Sequence, residues 1–199
     1  GFDNRVVEDA MNGTNGAYLG VALAPVSVED AELKRLASLG FRGVRFNYMG
    51  HLGRSAKIEE VIALTRRLAP LGLHLQIHLE SSLIHELGPW LRKAAVPVVI
   101  DHMARVDASQ GMDHPDFRAL LELMSDERFL VKVSGAERCS KLGAPYADAV
   151  PFARKLVAEF TDRTLWGTDW PHPNLNHVPD DGQLADLLAE IAPSAAQRQ

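Results

Sequence analysis

Short apolar runs alternate with stretches of helical periodicity six times along the 199 residues, and few folds accept that pattern. The runs at 18–24, 43–47, 73–79, 96–101, 129–134 and 165–167 read as strands. The stretches at 27–40, 58–69, 82–94, 116–124, 146–160 and 183–191 read as helices, after an opening helix within 1–15 that gathers Val6, Val7, Ala10 and Met11 on one face. Ser27 and Asp30 have the spacing of a capping box, Gly40 is a stop, and Gly88-Pro89 predicts a break in the helix at 82–94. Each strand–helix unit has the roughly 25–35 residues of a βα repeat. The nearly unbroken apolar run at 96–101 suits a parallel strand covered by helices. Consecutive βα units allow an open doubly wound sheet or part of an eightfold barrel. Strand parity favours the barrel. At 73–79, Leu73, Leu75, Ile77 and Leu79 face one way while His74, Gln76 and His78 face the other. An open sheet covered on both sides would be apolar on both faces, whereas a polar face is acceptable inside a barrel whose mouth is a site.

Composition narrows the partners. At 46% hydrophobic and 24% charged, the chain fits a single globular domain over 1–199. A net charge of -5 and the lack of any basic run argue against a nucleic-acid surface. No apolar segment has the length of a membrane span and no signal peptide opens the sequence, so neither a membrane nor secretion is expected. The lone Cys139 excludes an internal disulfide and fits a reducing cytoplasm. Eight histidines against one cysteine point any metal toward imidazole and carboxylate ligands.

The residues able to do chemistry cluster at the ends of the predicted strands. The last strand runs into Asp169 and His172, and Pro171 and Pro173 stiffen the loop that presents them. Arg45 and Asn47 share a face of their strand, His78 lies on the polar face of its own, His102 directly follows Asp101, and Arg138 sits in the turn at 135–140. Singly, each has a structural explanation: Arg45 snorkelling from a strand end, His102 capping a helix, Arg138 pairing with Glu137 or Asp148. Loops after successive barrel strands meet at one face, and that convergence favours a functional set. The chemistry implied is hydrolysis. Asp169 can take a proton from water, His78 and His102 can polarise a carbonyl or bind a metal, and arginines can hold carboxylates by forked hydrogen bonds. Gly-rich phosphate loops, a G-x-S-x-G elbow and an H-E-x-x-H helix are all absent from the sequence.

Four motifs in this order, Gly43-Val44-Arg45-Phe46-Asn47, Ile100-Asp101-His102, Val131-Lys132-Val133-Ser134-Gly135 and Trp166-Gly167-Thr168-Asp169-Trp170-Pro171-His172, resemble the amidohydrolase superfamily. The branch they are most similar to is the 2-pyrone-4,6-dicarboxylate lactonase-like group, which also contains sugar-lactone and muconolactone-type hydrolases. The resemblance covers nearly the whole chain. It implies an α/β fold, a distorted (β/α)8 TIM-type barrel of which this sequence supplies about strands 3 to 8. It also implies that Asp169 is the water-activating acid on the eighth strand, His102 the sixth-strand histidine, and Arg45 and Arg138 binders of substrate carboxylates. His51 stands where the pyrone enzyme places a second substrate arginine, with Arg54 close by, and Asn47 and His172 join the substrate-binding set. His78 stands where that enzyme has a tyrosine and where metal-using members carry a fifth-strand histidine.

The family's first-strand His-x-His pair does not occur in this sequence, so upstream residues or a partner chain are expected to complete the barrel. The expected activity is opening of a small carboxylated lactone, in the degradation of aromatic compounds, by water that Asp169 activates. No cofactor is expected to be required, and at most a weak zinc site is expected from His78, His102 and Asp169. Two other readings stand beside this one. The first is a zinc-dependent decarboxylase of an aromatic or related acid. The second is a non-catalytic fragment that binds ligands or partners.

Overall fold

Strands and helices alternate through the computed structural model, which describes residues 2–50 and 56–198. In chain order they are α1 (Arg5–Gly13), β1 (Gly20–Leu23), α2 (Asp30–Leu39), β2 (Phe41–Tyr48), α3 (Ile58–Leu68), β3 (His74–Leu79), α4 (Ile84–Leu91), β4 (Val98–Ile100), α5 (Pro115–Met124), β5 (Phe129–Lys132), α6 (Ala136–Cys139), α7 (Val150–Phe160), β6 (Thr164–Leu165) and α8 (Asp181–Ile191). Two units divide the chain. The first reaches His78 and takes in Glu86–Val99, and the second takes in Leu79–His85 and runs on from Ile100. Strand order in the sheet is the chain order, β1-β2-β3-β4 and then β5-β6. The expectations for His51 and Arg54 lie outside the described residues.

In the first unit β1 and β2 run parallel, with Ala22 opposite Val44 and Leu23 opposite Arg45. The Leu75 N–H donates to the Pro97 carbonyl at 3.0 Å and ties β3 to the residue before β4. Helix α2 buries Leu33 and Leu36, and α3 buries Val61, Leu64 and Leu68, in the i, i+3, i+4 pattern that the sequence periodicity predicts. Each such side chain contributes roughly 1.5–3 kcal/mol when fully buried. Gly40 ends α2 in the left-handed conformation, φ 106°, as its position predicts.

In the second unit β5 and β6 are parallel, Val131 opposite Thr164 and Lys132 opposite Leu165. The Val133 N–H continues the pairing to the Leu165 carbonyl at 2.8 Å. Phe117 of α5 meets Phe152 of α7 edge to face, ring centres 4.8 Å apart. The Arg163 guanidinium donates to the carbonyls of Met124, Asp126 and Phe129 at 2.7, 3.1 and 3.2 Å, which fixes the chain where α5 turns into β5.

Several local expectations are corrected. Helix α2 starts at Asp30 with Glu29 at its N-cap and no side-chain cap bond. The Val28 N–H instead closes a turn onto the Pro25 carbonyl, Val28 is buried, and Ser27 is left outside the helix. Helix α4 runs through Pro89 to Leu91, because burial of Ile84, Leu87 and Leu91 outweighs the one backbone bond that proline removes. Val6 is exposed, so the packed face of α1 is carried by Met11 and Val7. The last strand is Thr164–Leu165 rather than 165–167, and Leu165 and Trp166 are exposed. Helix α7 begins at Val150, four residues later than its apolar pattern suggests.

Candidate active site

Asp169 is the hub of the second unit. Its turn is held by the His172 N–H, which donates to the Asp169 carbonyl at 2.9 Å, and both residues adopt positive φ, 63° and 58°. His102 begins another left-handed stretch, with φ of 49, 52, 55 and 56° from His102 through Arg105. Non-glycine residues seldom hold such angles, and runs of them collect at binding and catalytic sites. Gly135 explains how the two loops approach. Its φ is 82°, and a Cβ there would stand 2.7 Å from the Cβ of His102, so only glycine leaves room for that ring.

These backbones bring three predicted residues together. Arg138 Nε donates a short hydrogen bond to Asp169 Oδ2. His102 Nε2 lies 3.3 Å from Asp169 Oδ1, and His102 Nδ1 lies 3.1 Å from the Ser134 hydroxyl. A carboxylate can only accept, so Nε2 carries the hydrogen toward Asp169 and Nδ1 accepts from Ser134. Burial drives the His102 pKa down to about 4 against the pull of Asp101 and Asp169, so the ring is neutral near pH 7. Turned away from Asp169 Oδ1, the one N–H of this neutral imidazole can polarise a carbonyl without first losing a proton. Asp101 itself is fully buried and is met by Lys132 Nζ at 2.9 Å.

Sequence reasoning placed Arg138 against Glu137, Asp148 or substrate, and the structure gives it Asp169 and, at 3.5 Å, Glu137 Oε1. Arg138 Nη2 also donates to the Pro173 carbonyl at 3.2 Å. Glu137 was not foreseen as part of the site. It is 5% exposed, and neither carboxylate oxygen has a hydrogen-bond partner among the described residues. Burial raises its pKa, and the charge of Asp169 pushes the same way. Arg105 was missed as well: it is partly buried, and burial followed by the charge of Arg138 lowers its pKa. The available signal was the charge density of Ala136-Glu137-Arg138 directly after a strand. Cys139, buried with a thiol pushed up to about 12, is inert.

His172 is 5% exposed, its Nε2 lies 3.2 Å from Asp181 Oδ1, and its Nδ1 has no hydrogen-bond partner among the described residues. Glu137, Asp169 and His172 each offer a ligating atom within 4.8 Å of the others, a donor set that a divalent cation accepts.

The first unit carries the remaining predicted residues. Arg45 and Asn47 stand two residues apart on one face of β2, where the Asn47 side-chain oxygen is buried with no hydrogen-bond partner among the described residues. His78 is 6% exposed on β3, and Gln76, on the same face, is buried too. Gly43 lets the neighbouring His74 ring in, since a Cβ there would fall 2.4 Å from its Nε2.

Strand–helix repetition with a carboxylate, a histidine and an arginine gathered after the strands is an arrangement that α/β hydrolases can use, and the chain belongs to the Amidohydrolase family, whose model matches residues 1–199. It is 42% identical over 209 residues to a 2-pyrone-4,6-dicarboxylate hydrolase of Comamonas testosteroni, covering 100% of this chain and 68% of that protein. It is 36% identical to a 4-sulfomuconolactone hydrolase of Hydrogenophaga intermedia, covering 100% of this chain and 67% of that one. A Pseudomonas putida structure described as a 2-pyrone-4,6-dicarboxylic acid hydrolase superposes with a TM-score of 0.86 at 32% identity, over 100% of this chain and 74% of that one. The fold is therefore part of a TIM-type barrel, as the parity of β3 predicts. No helix among the described residues is long and apolar enough to cross a membrane.

Proposed function

We propose that this chain, as part of one amidohydrolase barrel domain over 1–199, opens a small carboxylated lactone with water activated by Asp169. The observation that carries the reading is Asp169 held between His102 and Arg138, supported by the lactone hydrolases among its relatives. In the free protein Arg138 occupies one Asp169 oxygen and His102 the other, so the carboxylate is masked. A substrate carboxylate that captures Arg138, through the forked geometry guanidinium favours, would release Asp169 Oδ2 to accept a proton. Water then attacks the lactone carbonyl carbon as its proton passes to Asp169, the ring C–O bond breaks, and the same proton goes to the departing ring oxygen. His102 polarises the carbonyl when its Nε2–H turns from Asp169 Oδ1 to the carbonyl oxygen, and His78 is a second imidazole able to do so. By the family resemblance Arg45, Asn47, His51, Arg54 and His172 are assigned to binding substrate.

An ester needs less activation than an amide or a carboxylate about to leave, so fixed hydrogen-bond donors suffice and hydrolysis proceeds without a metal. Candidate substrates are those of the relatives, 2-pyrone-4,6-dicarboxylate and 4-sulfomuconolactone. The lone buried Cys139 fits a cytoplasmic enzyme. The test is Asp169→Asn. The amide oxygen still accepts from Arg138, so circular dichroism should match the wild type while ring opening falls about 10²–10⁴-fold. Hydrolysis near the wild-type rate in a folded variant would remove Asp169 from the role of base.

A further inference from the structure

Three features of the second unit converge on one spot. Glu137 is nineteen-twentieths buried with both oxygens lacking a hydrogen bond from the described residues, which is costly for a carboxylate unless something else comes to meet it. His172 turns its Nε2 to Asp181 at 3.2 Å and leaves Nδ1 without a partner among the described residues. That is the pattern of a metal-binding histidine, in which a carboxylate on one nitrogen fixes the tautomer and frees the lone pair of the other. Asp169 supplies the third ligating atom, and all three atoms lie within 4.8 Å of one another.

We propose that Glu137, Asp169 and His172 form a divalent-cation site suited to zinc, in which the ion competes with Arg138 for the two carboxylates and, when bound, slows lactone opening. Two carboxylates and one imidazole are ligands zinc accepts, with a fourth position left for water. Arg138 keeps the site weak. Arg138 already donates to Asp169 Oδ2 and stands 3.5 Å from Glu137 Oε1, so a second cation must displace the guanidinium. The site differs from the His78, His102 and Asp169 set expected from sequence, sharing only the aspartate. Occupation would take from Asp169 the lone pair needed for water. Binding stands apart from the proposed activity, whereas inhibition rests on it.

The experiment is a calorimetric titration of the metal-stripped full chain with zinc chloride, paired with ring-opening rates on the same samples. One zinc should bind per chain. Glu137→Gln should weaken binding by about tenfold or more, since even the outer partners of metal ligands are worth about 10–100-fold and Glu137 is a direct ligand. Arg138→Gln should tighten it by about tenfold, because the competing cation is gone. Zinc should slow wild-type ring opening at the concentrations that fill the site. Absence of saturable binding, or Glu137→Gln binding like the wild type, would overturn the site. Zinc that binds in the expected pattern yet leaves the rate unchanged would overturn the inhibition. Absence of ring opening with and without zinc would count against the lactonase reading, while the calorimetry would still decide the site.

Discussion

At the scale of single residues, the site depends on a position that does no chemistry. Gly135 holds a φ of 82° where any Cβ would meet the His102 side chain at 2.7 Å. Gly135→Ala should therefore destabilise the protein by about 1–3 kcal/mol, the range for a strained backbone position. Ring opening should fall with it, because relief of the clash moves His102 away from Asp169. Denaturant unfolding and steady-state rates would show this, and a variant with wild-type midpoint and rate would refute the steric account. That Asp169, His102 and Arg138 lie together was legible in the sequence, because each follows an apolar strand in a fixed motif order. Their pairing was not. Arg138 and Asp169 lie 31 residues apart, and nothing local distinguishes Asp169 from Glu137 or Asp148 as the partner of Arg138. Glu137 was passed over for the same reason, since burial of a charged side chain is decided by tertiary contacts.

At the scale of elements, periodicity foretold helices α3 and α5 within a residue or two, because their buried faces repeat at helical spacing. It failed where one hydrogen bond or one packing contact decides the boundary, as at the start of α2 and through Pro89 of α4. The loop between α6 and α7 offers a test of such local bonding. Asp148 accepts from the Ser140 hydroxyl at 2.5 Å and from the Lys141 N–H at 2.8 Å. Burial works to raise its pKa, but these bonds outweigh it and leave the pKa below the ordinary value of 3.8. A carboxyl group whose folded pKa is depressed stabilises the fold above its unfolded pKa and loses that contribution as pH falls through the folded one. Asp148→Asn should therefore lower stability near pH 7 and narrow its deficit relative to the wild type as pH drops below 3.8, in unfolding curves taken across that range. A deficit that is constant with pH would mean that the Asp148 charge contributes nothing.

At the scale of the whole molecule, alternating strand and helix patterns and the polar face of β3 were enough to reach the barrel class, and the relatives bear that out. The chain spans about two thirds of the curated relatives it matches, 68% and 67% of their lengths. Within that span lie the carboxylate, the neutral histidine and the arginine on which the proposed hydrolysis turns. The most direct test is ring opening of 2-pyrone-4,6-dicarboxylate in ¹⁸O-labelled water, with chelator in excess and the product read by mass spectrometry. Attack of Asp169-activated water on the carbonyl carbon places one labelled oxygen in the newly formed carboxylate, at a rate that the chelator does not change. Unchanged lactone, release of carbon dioxide, or label that enters only after zinc is restored would contradict the account.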